Sequence, residues 1–199
     1  MRAALTVALI LAAGPSLATC PTRADLRQGI VLVQNEPTFI RADIELRPDG
    51  FQEVRLIRDA DDNRSVVSLT YTHPLAPASR TEGRETRLIS YDADTSVLDA
   101  LPSQGDVTLS ATETSGTGST TRRILFDHTG TDTRSILDCT YDVWTVRMME
   151  AAADGSIDTR EVTYAPDIGA VLSARRIGPD GPETLYDYTW IGTSADVAR

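Results

Sequence analysis

Two histidines, His73 and His128, are the residues of this chain best suited to acid–base chemistry near neutral pH. His73 precedes a proline at the end of a predicted strand, and His128 follows Asp127 at the end of another. Because neighbouring residues of a strand point to opposite faces, Asp127 and His128 do not form a catalytic pair. The chain also lacks the Gly-x-Ser-x-Gly sequence that presents a nucleophilic serine. We therefore assign no catalytic residue and expect a non-enzyme, with a hydrolase as the last alternative.

An acidic segment at 59–63 (Asp-Ala-Asp-Asp-Asn) matches the first three ligand positions of a calcium-binding loop. The sixth position, where that loop needs glycine, is Arg64, and the twelfth, where it needs glutamate, is Thr70. The segment is therefore interpreted as a solvated hairpin loop. The two cysteines and two histidines lack the close spacing of a zinc site. We predict neither a metal nor a cofactor.

The charge of the chain narrows the partners that it can bind. The formal net charge is −10, and all 19 basic residues are arginines. A chain without lysine cannot form a Schiff base or a P-loop. An acidic surface repels phosphate backbones and therefore disfavours nucleic acid as a partner.

The first 18 residues have the organisation of an export signal. A positive Met1-Arg2 precedes an apolar run from Ala3 to Ala13, and Ser16-Leu17-Ala18 supplies the small residues that a signal peptidase recognises. The apolar run is too short to span a bilayer, and no later run is longer, so no transmembrane segment is predicted in the mature chain. We expect cleavage after Ala18 and a periplasmic or secreted protein.

The two cysteines, Cys20 and Cys139, are predicted to form a disulfide. In the alternative, the segment 17–20 is a bacterial lipobox and Cys20 carries a lipid anchor. Thr19 fits that pattern poorly, and lipidation would leave Cys139 without a partner in an oxidising compartment.

Alternation of apolar and polar residues predicts a mostly β protein. Ile40, Ala42, Ile44 and Leu46 share one face while charges occupy the other, which is typical of an antiparallel sheet with one wet face. Turn signals of the Asp-Gly type end at Gly50, Gly155 and Gly181. About eleven strands are predicted, near 29–35, 38–47, 51–58, 64–73, 85–92, 105–113, 120–128, 138–150, 156–165, 169–177 and 184–191.

Short turns between sequential strands favour an up-and-down meander of ten or eleven strands. We expect a strongly curved sheet, a half-barrel or a barrel, with one short N-terminal helix near 22–28. The predicted organisation is a signal peptide at 1–18, one β-domain at 19–192 and a flexible tail at 193–199. Tyr186, Tyr188 and Trp190 recur at strand spacing and are interpreted as packing against the sheet, with a ligand-contact stripe as the alternative.

The segment 162–172 contains the pattern Tyr-x-Pro-x-x-Gly-x-Val. It resembles the closing hairpin of envelope β-sheet proteins, namely the lipoprotein carriers LolA and LolB and uncharacterised periplasmic proteins with similar curved sheets. In those carriers a half-barrel covers an apolar cavity that accepts acyl chains. The resemblance implies a curved-sheet architecture and assigns no site residue.

Because a curved sheet must cover its apolar face and few helical residues are predicted, the concave face is the route to a binding function. Our first hypothesis is a non-enzymatic carrier for a lipid or another apolar ligand. The residues predicted to face that ligand are Val67, Leu69, Val107, Leu109, Trp144 and Val146. The alternative is an envelope interaction or assembly-support protein with a filled core, which would bind another envelope protein through its surface or a sheet edge.

Overall fold

The computed structural model describes residues 20–48 and 50–197, and shows a single antiparallel sheet of thirteen strands. Each strand pairs with its neighbours in sequence, except that the last strand pairs with the first. The strands are β1 (Ile30–Gln34), β2 (Phe39–Arg47), β3 (Gly50–Arg58), β4 (Arg64–His73), β5 (Ala76–Glu82), β6 (Glu85–Tyr91), β7 (Asp106–Ser115), β8 (Gly118–Ile136), β9 (Cys139–Ala152), β10 (Ile157–Ala165), β11 (Ala170–Gly178), β12 (Gly181–Asp187) and β13 (Trp190–Thr193).

Helical structure is confined to short segments. The predicted N-terminal helix is a 3₁₀ turn, Arg23–Arg27. A second 3₁₀ turn, Thr95–Ala100, continues into α1 (Leu101–Gln104), and α2 (Ser194–Val197) follows the last strand. None of the helices in the described ranges is long and apolar enough to cross a bilayer.

The predicted alternation of apolar and polar residues corresponds to strands with one buried face. In β2, Ile40, Ala42 and Ile44 are buried on one face, whereas the residues between them are partly exposed. The predicted turns at Gly155 and Gly181 join β9 to β10 and β11 to β12. Both glycines have positive φ, which side-chain-bearing residues rarely adopt. Asp49 of the remaining turn lies outside the described residues.

The predicted count of ten or eleven strands is wrong, because two features of the chain do not follow simple alternation. The first is β5, which the sequence analysis missed. Its partners on β4 place Arg80 beside Leu69 and Glu82 beside Val67, so its inward positions carry charge. A strand that presents charged side chains to a sheet's inner face has no apolar stripe for periodicity to detect.

The second feature is a break at residues 188–189, where one strand near 184–191 was expected. The amide of Tyr188 donates to the carbonyl of Leu172, and the amide of Thr189 donates to the carbonyl of Val33. Two consecutive residues thus bond to strands near opposite edges of the sheet, β11 and β1. The chain passes from edge strand β12 to edge strand β13 at that point. Because β12 and β13 do not pair, the sheet is curved but not closed.

Strands β8 and β9 form a long hairpin whose tip, residues 129–145, we call the arm. The pairing of β8 with β9 shifts register between His128 and Gly130, and the buried positions of β9 change phase there, from Val143 to Val146. This bulge lets the two halves of one hairpin bury opposite faces. The arm thereby packs on β1 and β2, and the rest of the hairpin packs in the sheet.

The predicted disulfide is confirmed. Cys139 at the tip of the arm is bonded to Cys20, with Cα atoms 5.4 Å apart and 119 residues of separation. The bond ties the beginning of the described chain to the arm. It uses the same sulfur that lipidation of Cys20 would require. The predicted signal peptide lies outside the described residues.

Two apolar clusters form the core. The first lies under the arm and includes Leu26, Ile30, Leu32, Ile136, Tyr141, Val143, Ile168 and Leu172. The second lies against the 3₁₀ turn Thr95–Ala100 and α1, and includes Leu98, Leu101, Val107, Leu109, Phe126, Val146 and Tyr164. Tyr186 of β12 contacts both clusters, and the space beside it forms the candidate site.

Candidate binding cleft

A cavity of about 440 Å³ opens on the inner face of the sheet, and we call it the cleft. Strands β2–β5 form one wall, β10–β12 form the other, and β9 contributes Met148. The curvature of the sheet brings these strands together, although they are far apart in strand order. Its apolar lining includes Ile40, Ile44, Phe51, Leu69, Met148 and Val162.

A buried ion pair lies in the wall of the cleft on β3. Glu53 Oε1 accepts a hydrogen bond from Arg55 Nε at 2.7 Å, and Glu53 Oε2 accepts one from the Tyr71 hydroxyl at 2.5 Å. Only 5% of Glu53 is exposed. Since a buried charge needs partners to offset its lost hydration, these contacts make the pair tenable.

The electrostatics of this pair follow from burial and from its close contacts. Burial lowers the pKa of Arg55, but Glu53 and the nearby Tyr186, Tyr188 and Tyr71 together outweigh this effect, so the pKa of Arg55 is raised well above its ordinary value. Burial also raises the pKa of Tyr71, and Glu53 raises it further. The Arg55 guanidinium lies over the Tyr186 ring, 4.6 Å from its centre. The cleft wall therefore holds a permanently ionised arginine against an aromatic face.

Three more arginines line the cleft, and each of them is more exposed than Arg55. The exposed side-chain fraction is 16% for Arg55, 34% for Arg160, 45% for Arg80 and 50% for Arg176. Arg80, Arg160 and Arg176 are each about one-third exposed or more, and we call the part of the cleft that they line the mouth. The cleft therefore combines apolar walls with guanidinium groups that range from buried to half-exposed.

The arginines of the mouth are paired with nearby acids. Arg80 donates to Glu82 at 2.8 Å, two residues along the same strand. Arg160 contacts Glu150, and Arg176 Nε lies 3.2 Å from Asp158. The pairs of Arg80 and Arg176 are about half-exposed and contribute little to stability, because water screens them, whereas Glu150 of the remaining pair is buried.

Of the six side chains predicted to face a ligand, Leu69 lines the cleft. Val67, Val107, Leu109 and Val146 are buried in the protein interior, outside the residues that line it. Trp144 is partly buried and packs against the Tyr164 ring, with ring centres 5.4 Å apart. The two tyrosines of the predicted aromatic stripe, Tyr186 and Tyr188, pack against each other with ring centres 5.1 Å apart.

Sequence reasoning missed the charged residues of the cleft, although β3 carried a usable signal. Strand alternation places Phe51, Glu53, Arg55 and Ile57 on one face, with apolar residues at both ends and charges in the middle. A charged pair in the centre of an otherwise apolar face indicates a buried ion pair or a site. That pattern was present in the sequence and could have identified Glu53 and Arg55.

The histidines do not lie in the cleft lining. His73 is 4% exposed; its Nε2 is 3.4 Å from Asp99 Oδ1, and its Nδ1 accepts the Leu75 amide at 3.1 Å. Burial lowers the pKa of His73, although Asp99 opposes this effect. His128 contacts the Thr131 hydroxyl at 3.1 Å. The arrangement around His73 is that of a neutral imidazole held in place by packing.

The Asp59 carboxylate of the acidic loop at 59–63 is hydrogen-bonded within the loop. Asp59 accepts hydrogen bonds from the amides of Asp61 and Asn63, both at 2.9 Å, and from the Asn63 side chain at 3.0 Å. Bonding to Asn63 lowers the pKa of Asp59. Throughout residues 20–48 and 50–197, no group of three or more histidine, cysteine, aspartate or glutamate side chains is arranged to hold a metal ion.

Comparisons with known proteins give one structural likeness. No protein family profile matches the chain. No curated protein sequence matches it. Among solved structures, the hypothetical lipoprotein YmcC from Escherichia coli K12 is similar, with a TM-score of 0.46 and 11% sequence identity. The alignment covers 85% of this chain and 88% of that one.

Proposed function

We propose that this protein is a non-enzymatic binding or carrier module that holds an apolar ligand in the cleft. The observation that carries the proposal is an open volume of about 440 Å³ inside the sheet, within the range of small-molecule sites. Interiors of folded proteins normally pack without voids of this size. An open, partly apolar volume favours a ligand over the alternative of a protein with a filled core.

The compartment fits this proposal. A disulfide that joins residues 119 apart forms and persists in an oxidising environment, which agrees with an envelope or periplasmic location. Apolar molecules have low solubility in such an aqueous space, so a protein that covers them removes apolar surface from water. We include in the proposal that the protein is periplasmic or secreted.

Filling the cleft tests the proposal directly. Leu69 is 8% exposed, points into the cleft and lies on β4, whereas Val66 of the same strand is 51% exposed on the outer face. We expect Leu69→Trp to weaken binding of a neutral fluorescent acyl probe by roughly tenfold or more, since an added ring occupies ligand volume. Val66→Trp is the matched control and should bind as the native protein does.

Three further measurements support this test. Ala174→Leu, which adds fewer atoms to the cleft on β11, should weaken probe binding less than Leu69→Trp does. Thermal unfolding should show that each variant is folded. Native mass spectrometry of protein purified from an oxidising compartment should find a co-purified apolar molecule. Probe binding that Leu69→Trp and Ala174→Leu both leave unchanged would remove the cleft as the binding site.

A further inference from the structure

The cleft presents guanidinium groups although the chain as a whole is acidic. Four arginines line it and Glu53 is the one carboxylate among the described lining residues, while the net charge of the chain is −10. Both oxygens of Glu53 are already bonded, to Arg55 and to Tyr71. A ligand that enters the cleft therefore meets N–H donors rather than carboxylate oxygens.

Two of these arginines are directly opposed. Arg160 on β10 and Arg176 on β11 are register partners in the sheet, and both line the cleft. Like charges at opposed positions of neighbouring strands destabilise a sheet. Asp158 offsets part of this repulsion, since its carboxylate lies 3.3 Å from Arg160 Nε and 3.2 Å from Arg176 Nε.

The other carboxylates nearby are shared or distant. Glu150 contacts Arg160 but also lies 3.3 Å from Arg122. Glu183 is 4.0 Å from Arg176 and is 69% exposed, so water screens that pair. Each guanidinium has five N–H donors, and its acidic partners are shared with another arginine or screened by water.

Arg160 carries the clearest sign of unused binding capacity. Its Nε is buried and makes no hydrogen bond within the described part of the chain, because Asp158 at 3.3 Å lacks the required geometry. Burial lowers the pKa of Arg160, and the charges of Arg176 and Arg122 add to this, against the opposing effects of Tyr186 and Tyr91. A buried donor without an acceptor carries a desolvation penalty, and a shift of the Arg160 side chain toward a bound acceptor would remove it.

We infer that Arg160 and Arg176 bind the acidic head group, a carboxylate or a phosphate, of an amphiphile whose apolar chain lies in the cleft. This inference rests on the proposed function and adds the head group to it. Arginine suits the task, because its planar fork donates two parallel hydrogen bonds to either anion. The apolar chain would lie along Leu69, Met148 and Val162, with the head group at the mouth.

Three ligands with one chain length test the inference, namely dodecanoate, dodecyl phosphate and dodecanol. Each displaces the neutral acyl probe from the protein, which gives its affinity. We expect at least one of the anions to bind about tenfold more tightly than the alcohol, the scale of a hydrogen bond to a charged group. The anion that binds more tightly identifies the head group as a carboxylate or a phosphate.

Arg175 and Arg176 provide a matched pair of variants. They are sequence neighbours on opposite faces of β11, with side chains 51% and 50% exposed. We expect Arg176→Gln and Arg160→Gln each to reduce anion affinity about tenfold while dodecanol binds as before. Arg175→Gln should leave all three affinities unchanged.

The outcomes separate this inference from the proposed function. Dodecanol that binds as tightly as both anions overturns the head-group assignment and leaves an apolar-ligand carrier. The assignment also fails if Arg175→Gln loses as much anion affinity as Arg176→Gln. If the probe and all three ligands fail to bind the native protein, both the inference and the proposed function are wrong. Unchanged dodecanol binding in each variant shows that the cleft is still folded.

Discussion

The arm and the mouth of the cleft both belong to one antiparallel sheet, but they direct opposite kinds of side chain inward. Under the arm, Ile136, Tyr141 and Val143 pack against β1 and β2, and a disulfide fastens the tip. At the mouth, β5, β10 and β11 turn arginines and acids inward. Apolar burial stabilises the first region, whereas paired charges contribute little net stability to the second.

Under the proposed function, the two regions have different tasks, stability for the arm and ligand binding for the mouth. The inward charges of β5, β10 and β11 add little to folding stability, because water screens the half-exposed pairs and the burial of Glu150 costs hydration. Their presence at the mouth is understandable where a ligand uses them. The arm, the helical turns and the disulfide then supply the stability that the mouth lacks.

The largest expected effect comes from the disulfide. Replacing both Cys20 and Cys139 by serine should lower the free energy of unfolding by about 4 to 5 kcal/mol, because the bond closes a loop of more than one hundred residues. Denaturant unfolding measures this loss. Binding of the neutral acyl probe should survive in the folded fraction, since neither cysteine lines the cleft. If the fully folded variant lost probe binding, the cleft would depend on the disulfide of the arm, and the two regions would not be independent.

The buried ion pair should give the next largest effect. Arg55→Met leaves the nearly buried Glu53 without its cation, and should lower the free energy of unfolding by about 3 to 5 kcal/mol. Replacing Glu53 by Leu and Tyr71 by Phe in the same chain removes every partner and should recover most of that loss. A combined variant less stable than Arg55→Met alone would show that the charges themselves stabilise the fold.

The smallest effect concerns His73 at the end of β4, which contacts Asp99 of the 3₁₀ turn Thr95–Ala100. Its folded-state pKa lies below the value of about 6.5 in the unfolded chain. As the pH falls, the imidazole is therefore protonated in the unfolded state before it is protonated in the folded state. The free energy of unfolding is unaffected by His73 above about pH 6.5 and decreases as the pH falls below that value. Unfolding measured at about pH 8 and about pH 5 should show this decrease, and His73→Gln should reduce it.

Asp99→Asn sharpens the same test. The charge of Asp99 raises the pKa of His73, so its removal should lower that pKa further, as an NMR titration of the imidazole would show. The decrease in stability should then extend to lower pH. Neutral-probe binding should stay constant across these variants. A His73 pKa that rises in Asp99→Asn would contradict the packing described here.

The extent to which the sequence predicted this architecture varied with how each segment buries its side chains. Strand β2 was predicted because Ile40, Ala42 and Ile44 alternate with charged residues. Strand β5 was missed because Arg80 and Glu82 occupy inward positions, which periodicity assigns to an apolar residue. The charged cleft residues were missed for the same reason, whereas Leu69, one of the six residues predicted to face a ligand, is an apolar residue of the cleft lining.

Local patterns by themselves determined most of the strands, most turns and the Cys20–Cys139 pairing, because alternation, turn chemistry and cysteine parity act within or between short segments. The tertiary structure alone decided which strands meet across the cleft, how the arm changes face at Gly130, and that the chain crosses between sheet edges at residues 188–189. These features depend on the accumulated twist and curvature of thirteen strands, a long-range property that no short stretch of residues contains.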